Sequence, residues 1–144
     1  ADQEKRYVAR WLPHAAHVMI SKYRPVGSKR LTAAKLPNSR FPCPNIFRQM
    51  VVGWNGEVAL CCEDIHAEVK LGDLKTQTLD EVWNGERLRK IREIHKLGLY
   101  EQMPFCKNCD IWAAGKELSV RPLKKGIEKI ITPSYTMYRH KNNV

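Results

Sequence analysis

The chain has 144 residues, 43% of them hydrophobic, and a formal net charge of +10. That length suits about one domain with a real core, and the hydrophobic share excludes wholesale disorder. No apolar run approaches the ~20 residues of a membrane-spanning helix, which excludes that class as well.

The first expected elements are a helix and a strand. Gln3–Leu12 reads as the end of a helix with Tyr7, Val8 and Trp11 on one side, stopped by Pro13. The apolar run Ala15–Ile20 suits a strand buried on both faces. The opening residues Ala1–Arg6 hold neither a methionine nor the apolar core of a signal peptide, and read as a cut end. From Ser21 to Pro44 the sequence is basic and broken by Pro25, Gly27, Pro37, Pro42 and Pro44, which predicts a connecting loop.

Phe47–Trp54 and Glu57–Cys62 predict two strands joined by Asn55-Gly56, a dipeptide favoured in type I′ turns because both central residues need positive φ. Pairing Trp54 with Glu57 sets Met50 opposite Cys61 and Gln49 opposite Cys62. Cys61 and Cys62 then point to opposite faces, so only one of them joins a given site. A polar loop with Glu63, Asp64 and His66 leads to a turn at Leu71–Leu74. Thr78-Leu79-Asp80-Glu81 is a capping box, since a hydroxyl and a carboxylate three residues apart satisfy each other's backbone N–H groups. Asn84-Gly85 predicts a break in the helix that follows. Its apolar stripe runs Leu88, Ile91, Ile94, Leu97 and ends at Gly98, a candidate C-cap. Trp54 and Trp83 are expected to pack the hairpin against this helix. After Gly115 the sequence is basic and weakly patterned, with a short helix expected around Lys124–Ile131.

The chemistry lies in the cysteines. Five is an odd number and Cys61 and Cys62 adjoin, which argues against a disulfide framework and for reduced thiols in a cytoplasmic setting. Thiolates are soft ligands that favour an iron–sulfur cluster or zinc. Cys43 is followed after twelve residues by Gly56, then after four by Cys61, and much later by the close pair Cys106 and Cys109. The hairpin and the returning helix bring the two groups together. His66 is an alternative ligand, though a histidine in a polar loop is most often simply solvated.

This pattern resembles a known family. Cys43-x12-Gly56-x4-Cys61 with its hairpin, the run Gly56–Asp64, Leu71-Gly72-Asp73, and Thr78–Asn84 leading to Cys106-x2-Cys109 resemble the SPASM/twitch auxiliary-cluster domain of radical SAM enzymes. The resemblance spans Phe41–Trp112. It implies that Cys43, Cys61, Cys106 and Cys109 ligate one [4Fe–4S] cluster serving electron transfer or substrate positioning, with Cys62 the spare. No cysteine follows Cys109, so the match is to the single-cluster twitch type. The chain also holds no Cys-x3-Cys-x2-Cys motif, the site of S-adenosylmethionine cleavage in that family. No catalysis is therefore expected from this chain alone, and a radical SAM core in cis or in trans would supply it.

The implied fold is α+β: a small hairpin-plus-helix cluster domain at 41–114. Residues 1–40 would precede it as a helix–strand remnant of a partial TIM barrel with a basic linker, and 115–144 would follow as a basic tail. The ligand types alone leave open a structural zinc domain with four cysteine ligands and an anionic or nucleic-acid partner. Nucleic acid is the weaker partner class, because the aromatic residues are scattered and no binding signature appears. An anionic substrate or peptide fits the charge. A cysteine hydrolase has little support, since nothing in the sequence places a cysteine–histidine pair.

Overall fold

The computed structural model describes residues 2–23 and 36–141. Much of the expected basic loop, residues 24–35, lies outside them. In chain order the elements are α1 (Asp2–Trp11), β1 (His17–Ser21), α2 (Asn45–Arg48), β2 (Val51–Val52), β3 (Glu57–Ala59), β4 (Gly72–Asp73), α3 (Leu79–Trp83), α4 (Glu86–Lys96), α5 (Pro104–Lys107), β5 (Ser119–Pro122), β6 (Ile127–Ile131) and β7 (Tyr135–His140). The fold is mixed α and β. It divides into two compact units: one from both ends of the chain, the other from the middle, 38–113.

The terminal unit is an antiparallel sheet in the order β1-β7-β6-β5, with α1 leading into it. α1 has Asp2 and Glu4 in its first turn and Arg10 in its last, charges that oppose the helix dipole favourably. Val8 and Ile20 pack on Leu12, Val18 and Tyr138. β1 forms where the apolar run predicts it, but it is buried only at Val18, because the face carrying Val18 and Ile20 is covered by Val8, Leu12 and Tyr138 while His17, Met19 and Ser21 on the other face are exposed. The expected burial on both faces is therefore corrected. Glu4 ties the helix to the sheet through Lys129 Nζ at 3.0 Å and the Tyr138 hydroxyl.

The helix expected around Lys124–Ile131 is also corrected. Lys124–Gly126 is a turn, with Lys125 and Gly126 both at positive φ, and Ile127–Ile131 is β6. The next turn is organised by Thr132, whose Oγ accepts the amide N–H of Ser134 at 3.2 Å and of Tyr135 at 2.9 Å. Such hydroxyl-to-backbone bonds substitute for ladder bonds where the chain reverses.

The central unit contains a three-stranded sheet, β2-β3-β4, and four short-to-medium helices. α3 starts on the predicted capping box: Thr78 Oγ accepts from Glu81 N–H at 3.2 Å, and Glu81 accepts from Thr78 N–H at 2.7 Å. Gly85 separates α3 from α4 as expected. α4 ends at Gly98, φ +73, where Gly98 N–H meets His95 O and Leu99 N–H meets Ile94 O. That bond pair is a Schellman motif.

The hairpin exists in a different register. Val51 pairs with Ala59 and Val52 with Val58, one residue away from the expected alignment. Gly53 N–H bonds Glu57 O, Gly56 N–H bonds Gly53 O, and Gly56 has φ +83. Asn55 is not among the residues at positive φ. This is a three-residue loop with a glycine bulge instead of a two-residue type I′ turn. Phe47 and Arg48 are helical, in α2, so the first strand is also shorter than predicted.

The longer loop carries Trp54 out of the strand to the turn tip, fully exposed at 100%. It packs nothing against the helix, contrary to expectation. Trp83 does join the core of Ile46, Val58, Leu60, Leu71, Val82, Leu88 and Ile91. It is half-buried, with the Arg92 guanidinium 4.2 Å above its ring. Trp83→Ala is expected to cost about 2 kcal/mol, less than a full core truncation because part of the ring is already solvated. Urea denaturation reads this, and an unchanged midpoint would remove Trp83 from the packing.

Candidate metal centre

Four short pieces of backbone carry the four expected cysteines. Cys43 sits between Pro42 and Pro44 just ahead of α2, and Cys61 leaves the end of β3. Cys106 lies in α5, which begins at Pro104, a residue suited to a first helical turn. Cys109 follows one turn later, its N–H bonded to Cys106 O at 3.1 Å. All four are between 6% and 8% exposed and line one cavity, together with Arg40, His95 and apolar side chains such as Phe105 and Trp112. The space left there is about 10 Å³. That is roughly the space of one water.

The electrostatics of these thiols set two effects against each other. Burial pushes Cys61 and Cys106 up to about 12 and Cys109 up to about 11. Cys43 is raised too, again mainly by burial. The thiols also repel one another's charge: Cys109 acts on Cys61, Cys109 and Cys43 on Cys106, and Cys43 on Cys109. Backbone N–H groups work in the opposite direction. The amides of Asn45 and Ile46 serve Cys43, those of Glu63 and Asp64 serve Cys61, and that of Ile111 serves Cys109 at 3.4 Å. Four buried thiols hold little charge alone even with amide donors at three of them, and a bound cation would convert them to thiolates. Among the described residues no three His, Cys, Asp or Glu side chains close on a single ion-sized point.

Cys62 is exposed, with Asn45 Nδ2 3.6 Å from its sulfur, and does not line the cavity. His66 is exposed and outside it as well. Lys107, between Cys106 and Cys109 in sequence, pairs with Glu101 at 2.6 Å.

Three residues at this site escape a reading of the sequence. Arg40 reaches across to the carbonyls of Cys106 at 2.8 Å and Lys107 at 3.0 Å, and its guanidinium stacks 4.0 Å from the Tyr100 ring. Asp64, 1% exposed, binds three backbone N–H groups around Cys61. His95 occupies the inward face of α4 and accepts the Cys43 N–H at 3.3 Å. The signal for His95 is its spacing, four residues after Ile91 and seven after Leu88, which continues the buried stripe.

Burial, and then the Arg40 charge, lower His95 from 6.5 to about 4. The unfolded chain protonates this ring more readily than the folded protein does. The contribution of the neutral His95 ring to the stability of the metal-free protein is therefore full above the unfolded value of 6.5 and is lost as pH falls toward about 4. Urea denaturation at about pH 7 and about pH 5 should show this loss in wild type and a smaller one in His95→Asn; equal losses would mean another group titrates.

No helix among the described residues is long and apolar enough to cross a membrane. Residues 43–110 match the SPASM family, described as an iron-sulfur cluster-binding domain. An uncharacterized protein of Treponema pallidum (strain Nichols) is similar to the chain, 31% identical over 106 residues. That match covers 69% of this chain and 28% of the relative, so the chain corresponds to less than a third of the relative's length. No solved structure matches. The four buried thiols all fall within residues 43–110, the span that matches the SPASM model of iron-sulfur cluster-binding domains.

Proposed function

We propose that Cys43, Cys61, Cys106 and Cys109 hold one [4Fe–4S] cluster, and that the chain is the auxiliary-cluster part of a radical SAM oxidoreductase. The observation that carries this reading is the single cavity lined by four buried thiols inside the family's span. The donor set fits the group: four soft ligands, amide donors beside three of the sulfurs, and low-dielectric walls. When bound, such a cluster supplies one-electron redox chemistry. With cysteine at all four ligand positions, the protein's part is to insulate that electron carrier or to brace a substrate near it. Arg40 fastens the Cys106 end of the site, and His95 holds the Cys43 end.

A catalytic barrel that cleaves S-adenosylmethionine belongs to this reading as a partner, in cis or in trans. The helix-then-strand order of α1 and β1 supports a barrel remnant; the antiparallel pairing of β1 with β7 does not, since barrel strands run parallel. The net charge of +10 favours an anionic substrate or peptide, and free thiols favour the cytoplasm.

The test is iron and acid-labile sulfide per chain, with the visible spectrum, in protein prepared without oxygen. About four of each, with broad absorption near ~400 nm, is the expected result. One zinc and no sulfide would replace this reading with a structural zinc domain.

A further inference from the structure

His95 is 1% exposed, and its two ring nitrogens have different surroundings. Nδ1 accepts the Cys43 amide N–H at 3.3 Å. A ring nitrogen that accepts a hydrogen bond carries no proton, so in the neutral ring the proton sits on Nε2. Nε2 is buried and has no partner among the described residues, although His95 lines the four-thiol cavity. Arg40 repeats the pattern on the same cavity. Two of its nitrogens bond the carbonyls of Cys106 and Lys107, while its Nε is buried with no partner among the described residues. Buried N–H groups nearly always find an acceptor, because leaving one unmade is costly. Here two such donors belong to side chains lining one space, where the protein supplies sulfur.

Resting on the reading of the four thiols as cluster ligands, the geometry points to His95 Nε2–H and Arg40 Nε–H as hydrogen-bond donors to the sulfurs of the bound cluster. His95 then has two roles: it anchors the Cys43 backbone and tunes the cluster. It is not itself an iron ligand, because the protonated Nε2 offers no lone pair. N–H donation to sulfur stabilises the more negative, reduced state, so both residues raise the reduction potential.

Two substitutions at one position separate anchoring from tuning. In His95→Asn the side-chain oxygen stands near the place of Nδ1, keeps the Cys43 N–H bond and removes the distal donor. In His95→Gln an amide N–H reaches toward the place of Nε2. Arg40→Lys keeps the positive charge and removes the Nε–H together with the two-nitrogen grip on the Cys106 and Lys107 carbonyls. Each protein would be reconstituted anaerobically, assayed for iron and sulfide, and titrated by optical spectroelectrochemistry.

The expected result is enough bound cluster in each protein to titrate, with potentials compared per cluster. His95→Asn and Arg40→Lys shift the potential negative, and His95→Gln returns toward wild type. Equal potentials in wild type, His95→Asn and Arg40→Lys with the cluster present would overturn the inference and leave the four-thiol reading intact. If His95→Asn takes up no cluster, an unshifted Arg40→Lys overturns it alone. Wild-type protein that binds no iron and sulfide would overturn the four-thiol reading, and the inference with it.

Discussion

Cys61→Ser is expected to reduce bound iron from about four per chain to near none, while Cys62→Ser leaves iron and sulfide at the wild-type level. The two residues adjoin in sequence, and the chain turns immediately after β3, with Asp64 N–H bonded to Cys61 O at 3.0 Å. Neighbouring side chains leaving an extended strand point apart. Cys61 is buried in the cavity with the amides of Glu63 and Asp64 on its sulfur, whereas Cys62 faces solvent and Asn45. Serine offers a hard hydroxyl that is a poor substitute for a soft thiolate at iron. At position 62 the same change removes only an exposed thiol with one long contact. The distinction is demanding, because Cys62 is near enough for its charge to raise both Cys43 and Cys61. Iron and sulfide retained in both variants would remove Cys61 from the ligand set. Loss in both would mean that Cys62 stands as close to the bound group as Cys61 does.

What the sequence made legible of the fold were the features set by local chemistry. The capping box at Thr78, the break at Gly85 and the C-cap at Gly98 all form because each satisfies backbone groups within a few residues. The hairpin was equally local, but its register was not. Asn55-Gly56 is compatible with both a two-residue and a three-residue loop, and the side chain of Asn55 selects the latter by accepting the Glu57 N–H at 3.2 Å. The last three strands were missed for a different reason. β7 pairs with β1, more than a hundred residues earlier, and no local pattern announces such a partner. Ile127-Glu128-Lys129-Ile130-Ile131 satisfies a helical spacing as well as a strand, and Ile130 is buried only because β5 and β7 flank it.

The candidate site divides along the same line. Cysteine chemistry is specific enough that four residues and their spacing led to one cavity. Arg40 and His95 are common residue types whose roles arise only from placement. Arg40 bonds carbonyls 66 and 67 residues away, from a stretch whose sequence reads as a basic loop. His95 belongs to a helix stripe otherwise filled by Leu88 and Ile91, and a stripe read for apolar residues passes over it.

Asp64→Ala is expected to destabilise the metal-free protein by about 3–5 kcal/mol, and Asp64→Asn by nearly as much. The carboxylate is 1% exposed and divides its two oxygens among three amides. Oδ2 accepts from Leu60 N–H at 3.2 Å and Val69 N–H at 3.1 Å, and Oδ1 accepts from Glu68 N–H at 2.8 Å. It thereby ties the end of β3 to the segment that leads into β4, enclosing the turn that presents Cys61. Alanine leaves all three donors without this acceptor in a site that water reaches poorly. Asparagine keeps one oxygen but turns an NH₂ group toward donors, so at least one amide meets a donor where it had an acceptor. A charged acceptor with several N–H donors contributes more than a neutral pair, which is why the loss exceeds that of an ordinary hydrogen bond. Urea denaturation of metal-free wild type and both variants separates this loss from any effect of metal. A difference below about 1 kcal/mol in either variant would mean that the amides find other partners, and that the Cys61 turn is held by its packing instead.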